Sequence, residues 1–485
     1  MTVVAKRQGP SALLLVESQR YVEAAQHHWF IILSIGPFFG WLLSFPLQGP
    51  LLGSLVESRA ADPFEPTVAF LIGHIAGLVG AGILGYFRRW SLPLFALAAI
   101  PCAALSLLAA VFPPSGWDVL FGLMGLFAGF GIIGWGSAFA ASVLPKQRAR
   151  AFVVGAVLSN VVLYITALLA GRVGLNWLLW PISLLPLSLP AVLFWAYRRI
   201  DLSVPATRPK LRGKGSGNIW PFLPFIFAVY VLGGLMYYVI GNLSTPPGEL
   251  LGKVALVPYV LLLVAAGTLA ERSGRYAIAV VGALAVGVGF MTTGILSGPA
   301  QFLAIQVFLV GGYAFLDTFT LVVATDLSTP RQAPIYYAAI LGVDVSAILV
   351  GILLAETVGR ATAGSEALTV SVAGILSILS LGFVVILGQR TLRSSPAMNP
   401  RFALDSSSAL SAKCRLTPRE TEIARLLLSG VSMQEIRDQL VIAPDTLKTH
   451  LRNMYRKAGV RNRIEFTVLV SRSPVGEQAD ISRAK

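Results

Sequence analysis

The stretch RRIDLSVPATRPKLRGKGSG, residues 198–217, decides how the chain is organised. It carries Arg198, Arg199, Arg208, Lys210, Arg212 and Lys214 with Pro205 and Pro209, and it has no apolar period. A hydrocarbon core about 30 Å thick needs roughly 20 apolar residues at a rise of about 1.5 Å each. Runs of that length lie at 29–46, 67–87, 91–112, 117–143, 151–171 and 175–197 before the stretch, and at 219–241, 253–270, 276–296, 300–325, 334–357 and 367–388 after it. The fold class read from this pattern is all-α, a polytopic membrane protein of twelve transmembrane helices arranged six plus six. Composition agrees. The 485 residues are 55% hydrophobic and 13% charged, with a mean hydropathy of +0.73. A soluble globular domain carries about 25% charged residues, so that class is excluded.

Charge gives the orientation. The first run follows about 28 residues containing Lys6, Arg7, Glu17, Arg20 and Glu23, with no small-residue cleavage site behind a short apolar core, so it reads as a retained helix. With the N-terminus inside, the interior loops hold 14 Lys and Arg: Arg88, Arg89, Lys146, Arg148, Arg150, the six in residues 198–217, Arg272, Arg275 and Arg331. The exterior loops hold four, namely Arg59, Arg172, Lys253 and Arg360. Short basic loops resist translocation, so the chain is expected in the cell (inner) membrane with both termini cytoplasmic. The domains are then a cytoplasmic segment over 1–28, membrane halves over 29–197 and 219–388, a basic loop over 198–218, a linker over 389–415, a compact domain over 416–471 and a tail over 472–485.

After the eighth run, Gly267-Thr-Leu-Ala-Glu271-Arg272-Ser-Gly274-Arg275 resembles the loop signature of the major facilitator superfamily. The resemblance implies that acid and arginines pair across neighbouring helix ends while the glycines let those helices approach. In the first half, Gly82-Ile-Leu-Gly85-Tyr-Phe-Arg88-Arg89 keeps the basic residues and loses the acid, which weakens the case for a working alternating-access transporter.

The net charge of +15 is unevenly spread: residues 1–388 hold 21 basic and 14 acidic residues, and the last 97 hold 17 and 9. From Gln389 to Arg415 the sequence is rich in Ser, Arg and Pro and reads as a linker. Thr417-Pro-Arg-Glu420 is a capping box that opens a helix with Ile423, Leu426 and Leu427 at helical spacing. Gly430 is its natural stop, and Ser432-Met-Gln-Glu435 repeats the box for a short helix through Leu440. Val441 to Ala443 make a turn, Pro444 and Asp445 open a third helix to about Gly459, and Asn462 to Val470 form a fourth. Helix, short helix, tight turn and basic helix is a helix-turn-helix arrangement. Lys448, Thr449 and Arg452 sit in the groove-entering first turns of the third helix, while Arg456, Lys457 and Arg461 lie where phosphate contacts fit. The competing reading is a basic helix on anionic lipid, which would need no capped helices at a tight turn.

The series Leu416-Thr-Pro-Arg-Glu420, Gly430-Val-Ser432, Glu435-Ile436, Leu440, Ile442 and Thr446-Leu-Lys448-Thr-His450-Leu-Arg-Asn453-Met-Tyr455-Arg-Lys457-Ala-Gly459-Val460 resembles the LuxR-type DNA-binding domain along its whole length. The resemblance implies groove contacts by Lys448, Thr449 and Arg452, backbone contacts by Thr446 and Lys457, and dimerisation through the fourth helix. Departures are Ala443, where Ser or Thr usually caps the recognition helix, Leu447 for Val and Ala458 for Leu. No phospho-acceptor receiver precedes the motif, so the membrane part takes the place of the input module.

Ionisable residues inside spans are expensive and mark candidate sites. Asp317 and Asp344 lie deep in the tenth and eleventh runs. Gln306, Tyr313 and Asp317 share one face of a regular helix, and Tyr337 and Asp344 share another. With His74, Trp135, Asn160 and Tyr164 from the first half they are candidates to line a central cavity. The alternative for each polar residue is a hydrogen bond that joins helices within the bundle. Trp41 and Trp220 read as interfacial anchors. Two acids without a deep Lys or Arg favour a cationic or hydrogen-bond-donating ligand, such as an amine or a phenol.

Cys102 and Cys414 form no metal-ligand or disulfide pattern, and no nucleophile–base pair or phosphate loop is present, so neither an enzyme nor a cofactor is expected. The expected partners are double-stranded DNA with a two-fold-symmetric promoter site, a small-molecule ligand, the bilayer and a second copy on DNA. Expected function is a membrane-embedded one-component transcriptional regulator in which ligand sensing controls DNA binding. The alternative is a secondary transporter with a fused regulatory tail.

Overall fold

The computed structural model describes residues 31–47, 49–88, 91–143, 147–190, 219–243, 255–328, 332–361, 414–428 and 433–460, with Phe466 and scattered positions between 374 and 383. Every regular element among them is helical. They fall into two compact units divided at residue 386.

In the first unit, eleven of the twelve apolar runs coincide with helices. These are α1 (Ile31–Ser44), α3 (Phe64–Arg88), α4 (Ser91–Val111), α5 (Trp117–Ser142), α6 (Arg148–Leu169), α7 (Leu175–Leu184), α8 (Leu223–Leu243), α9 (Val257–Arg272), α10 (Arg275–Thr293), α11 (Gly298–Leu327) and α12 (Ala333–Ala361). The twelfth run, 367–388, lies almost wholly outside the described residues, as do the 198–217 loop and the 1–28 segment. Among the described residues six helices are long and apolar enough to cross a membrane. An additional helix, α2 (Pro50–Arg59), occupies the loop after α1. The sequence reading missed it because ten residues cannot span a bilayer, yet Leu51, Leu52, Leu55 and Val56 are buried on it.

Close helix approach depends on glycine. Gly73 and Gly77 of α3, and Gly125 and Gly129 of α5, lie directly against backbone of the opposite helix, where any Cβ would collide. Without a hydrophobic drive between helices in lipid, such small-residue seams supply the van der Waals contact that holds a pair together. Gly234 of α8 and Gly351 of α12 form a similar seam in the second half. The halves meet chiefly where α3 packs on α12 and α6 packs on α9. Helix α11 is interrupted by a π-helical turn over Ile305–Val310.

The second unit contains α13 (Pro418–Leu428), α14 (Met433–Leu440) and α15 (Pro444–Ala458). Their apolar faces converge in one core of Leu416, Ile423, Ala424, Leu427, Ile436, Leu440, Leu447, Leu451, Met454 and Phe466. Burying a Leu, Ile, Met or Phe side chain contributes about 1.5–3 kcal/mol, so this core holds the three helices at fixed angles. The capping box forms: the Thr417 N–H donates to Glu420 Oε2 at 2.8 Å and the Glu420 N–H to Thr417 Oγ1 at 3.3 Å. Val441 turns the chain with φ of 51°, and Gly459 ends α15 in the left-handed region at φ of 68°. Gly430, Ser432 and the fourth helix, apart from Phe466, lie outside the described residues.

Candidate DNA interface and membrane-embedded polar cluster

On α15 the apolar positions Leu447, Leu451 and Met454 are buried, and Thr446, Lys448, Thr449, Arg452 and Arg456 are exposed. The i, i+3, i+4 rule places Lys448, Thr449, Arg452 and Arg456 on one face opposite the core. Lys448 Nζ stands 3.4 Å from Asp445 Oδ1, a pair 79% and 93% exposed and so worth little, which leaves the ammonium available to an incoming acceptor. Thr449 Oγ1 donates to the Asp445 carbonyl at 2.9 Å, and Arg456 Nη2 lies 3.5 Å from Asn453 Oδ1. Ala443 occupies the N-cap and makes no side-chain cap, so the first-turn N–H groups lack the acceptor that Ser or Thr would supply.

Lys457 has a second task. Its ammonium donates to Glu420 Oε2 at 2.6 Å, joining the start of α13 to the end of α15. Glu420 is 4% exposed at its side chain. Burial pushes its carboxyl up, but hydrogen bonds from Lys457 and from Thr417 outweigh that and hold it below its ordinary value. Arg419, which sequence reasoning passed over, donates to Glu422 Oε2 at 2.7 Å and to the Leu440 carbonyl at 2.6 Å, closing the end of α14. A basic residue near helix-terminal carbonyls is the signal that would have found it.

In the membrane unit the predicted polar residues divide. His74 Nδ1 is 3.1 Å from the Gly125 carbonyl and its ring stacks on Phe70. Trp135 Nε1 donates to the Ile31 carbonyl at 2.9 Å, and Asn160 Nδ2 to the Ala156 carbonyl at 2.8 Å. Each is held by bonds to backbone of the first half. Trp41 is fully buried and donates to Ser106 Oγ at 2.9 Å, which corrects the interfacial-anchor reading, whereas Trp220 is 74% exposed. Indole serves a bilayer interface or a polar partner within the bundle equally well, so type and position alone did not separate them.

The second half brings its residues together. Asp317 accepts a hydrogen bond from Tyr259 Oη at 2.6 Å on Oδ2 and from Tyr230 Oη at 2.8 Å on Oδ1. Tyr230 Oη is also 3.2 Å from Thr320 Oγ1. Tyr313 Oη donates to the Val229 carbonyl at 2.8 Å, with its ring centroid 5.9 Å from that of Tyr230. Asp344 lies within electrostatic reach of Asp317 and Tyr230, and its Oδ1 is enclosed with no hydrogen-bond partner among the described residues. Gln306 is buried inside the π turn, where i→i+5 bonding breaks the regular spacing that had placed it on the Asp317 face. Tyr337 is fully buried, packs against Gly136 of α5 and shares a 2.5 Å hydrogen bond with Thr325. A cavity of about 250 Å³ lined by Ser54, Glu57, Val173 and Leu178 includes none of the predicted ligand residues.

Two ion pairs cross between the halves, those of Arg148 and Arg150, and Arg275 joins the first from within the second half. Arg148, on α6 and 5% exposed at its side chain, meets Asp326 of α11 at 2.8 Å, and Arg275 reaches the same carboxylate at 3.0 Å. Arg148 also donates to the Val143 and Thr325 carbonyls at 3.2 Å. Arg150 pairs with Glu271 at 2.5 Å. The Gly267–Arg275 motif therefore supplies an acid and an arginine to this network. Most of it lies on the last turns of α9 instead of in a loop, with Gly267 against Val153 of α6 and only Ser273 and Gly274 making the turn.

Residues 415–470 match the family of bacterial regulatory proteins, luxR family. The helical bundle is similar to the human organic anion transporter MFSD10 (TETRAN), at 15% identity over 74% of this chain and 99% of that one, with a TM-score of 0.59. It is similar to a bacterial homologue of the iron transporter ferroportin in its outward-facing state, at 15% identity, 75% and 98% coverage and a TM-score of 0.53. It also resembles the major facilitator superfamily proton:xylose symporter XylE, at 12% identity, 75% and 94% coverage and a TM-score of 0.54. At these identities the likeness shows the fold of the helical bundle alone, while the luxR-family match covers residues 415–470.

Proposed function

We propose that this chain, which joins a luxR-type DNA-binding domain to a major-facilitator fold, is a membrane-embedded one-component transcriptional regulator. One observation carries the reading: α15 presents Lys448, Thr449, Arg452 and Arg456 on an exposed face while its apolar face is fixed in the core of a capped helical domain. That is the arrangement a major groove accepts. The 14-to-4 loop bias supports a cytoplasmic position for both termini, where the domain would meet DNA as a dimer on a two-fold-symmetric site. The ion pairs of Arg148 and Arg150 with Asp326 and Glu271 tie the two halves together, and a rearrangement of the halves would have to break them. A small molecule that favours one state shifts the population and so the presentation of DNA-binding domains.

A transporter with a fused regulatory tail is the second reading, favoured by the bundle fold and by two carboxylates inside the second half. RNA sequencing of a deletion strain complemented with wild type or with the Lys448→Ala, Arg452→Ala double variant separates the two. Regulation predicts that the variant reproduces the deletion profile while still inserting in the membrane. A transporter whose tail is dispensable predicts a wild-type profile.

A further inference from the structure

Resting on the reading that the helix-turn-helix unit reads DNA, we propose that Arg419 is a positioning residue for that reading, aiming the start of α15 without touching DNA. The two ends of α15 are held in different ways. Its last turn is fixed by Lys457, whose ammonium donates to buried Glu420 of α13 at 2.6 Å. Its first turn has no side-chain cap, and the turn before it passes through Val441, which is 89% exposed and held at φ of 51°. Among the described residues, one hydrogen bond ties residues 440–446 to α13: Arg419 Nη2 donates to the Leu440 carbonyl at 2.6 Å.

The chemistry of the bond suits the task. The last carbonyls of a helix have no partner within it, and Leu440 is the final residue of α14. A guanidinium can hold two acceptors at once in its planar fork, which an ammonium cannot do in a fixed direction. Arg419 Nη1 donates to Glu422 Oε2 at 2.7 Å, so α13 itself orients the fork. That pair is 36% and 40% exposed and contributes little alone; what it supplies is direction. Arg419 and Glu420 stand side by side on the first turn of α13, one holding the turn ahead of α15 and the other its far end. Lys448 and Thr449 follow in the next turn of α15. A hydrogen bond to a base edge weakens steeply when misaligned, whereas attraction to phosphate does not depend on sequence. Loosening the turn therefore costs base reading before it costs backbone attraction.

The test uses the full-length protein in zwitterionic lipid nanodiscs. Its probes are the duplex that wild type enriches most from a random-sequence pool and a scrambled duplex of the same length and composition. Expected for Arg419→Ala are a loss of about fivefold or more on the selected duplex, unchanged affinity for the scrambled one, and the salt dependence of wild type. Arg419→Lys, which keeps a donor without the fork, falls between the two. In Arg419→Ala the Ile442 amide, which donates to the Arg437 carbonyl within the turn, loses exchange protection. Core amides of α13 and α15 that stay protected as in wild type verify the fold of both variants. Arg419→Ala that discriminates between the duplexes as well as wild type overturns the proposal and leaves the bond a structural one. Equal losses on both duplexes with a shallower salt slope also overturn it, because they mark a direct phosphate contact. A wild type that enriches no duplex sinks the regulator reading and this inference with it, whereas a discriminating wild type beside an equally discriminating Arg419→Ala sinks the inference alone.

Discussion

Helices α15 and α11 both carry charge, and they carry it in opposite ways. On α15 the apolar residues face a core and the ionised ones face water, so the 3.6-residue period of the sequence records burial directly. On α11 nearly every residue from Gly311 to Thr325 is buried, and Asp317 turns inward to Tyr230 and Tyr259. Lipid is as apolar as a protein core, so the period of a transmembrane helix does not say which side faces its neighbours. In the helix-turn-helix unit sequence specifies contacts; in the membrane unit it specifies only where a cost must be met.

The strongest way to break this comparison is at the exposed face. Lys448→Ala and Arg452→Ala are each expected to weaken sequence-specific DNA binding by about 1–3 kcal/mol, roughly five- to 150-fold, without lowering the domain's resistance to unfolding. A gel-shift titration at fixed salt, paired with hydrogen exchange over α15, checks both halves of that statement.

Glu420 tests the buried side of the same unit. Glu420→Gln keeps an acceptor for the Thr417 N–H but removes the buried negative charge that Lys457 meets, and it is expected to cost on the order of 1–3 kcal/mol. The carboxyl is held below its ordinary value, so its contribution is complete above the unfolded value near about 4.3 and disappears as pH falls through the lower folded one. The protection of α13 and α15 amides in the full-length protein, relative to the intrinsic exchange rate at each pH, should therefore fall on acidification in wild type, and much less in Glu420→Gln. Lys457→Ala would show the same instability, which separates its role from that of Arg452.

In the membrane unit, Asp326→Asn removes the charge that Arg148 and Arg275 share. A change of about 1.4 kcal/mol in the balance between paired and separated halves alters the population ratio tenfold. Spin labels on α6 and α9 should report a broadened or shifted distance distribution, whereas an unchanged one would make the ion pairs incidental. The smallest expected effect is at Ala443. Restoring a cap with Ala443→Ser should stabilise α15 by about 1 kcal/mol, read as slower exchange of its first-turn amides.

Eleven apolar helices, the capping box at Thr417, the turn at Val441 and the left-handed Gly459 were all legible, because apolar length and backbone conformation leave local marks. What was not legible is informative. Tyr230 and Tyr259 complete the Asp317 site from α8 and α9, more than fifty residues away, and nothing local distinguishes them from other aromatics in spans. The π turn at Ile305–Val310 defeated regular spacing for Gln306. The bond from Lys457 to Glu420 was not legible either, because sequence shows the lysine's charge and hides the buried acid that it meets.

The central claim is that the membrane bundle governs where the basic helix sits on DNA. Chromosome-wide occupancy of the full-length protein by crosslinking and immunoprecipitation, compared among wild type, Lys448→Ala with Arg452→Ala, and Asp326→Asn, tests it most directly. The account predicts discrete promoter-proximal sites that vanish in the double variant and change in occupancy in Asp326→Asn, although Asp326 lies in the membrane unit. Sites that are absent in wild type, or that Asp326→Asn leaves untouched, would contradict it.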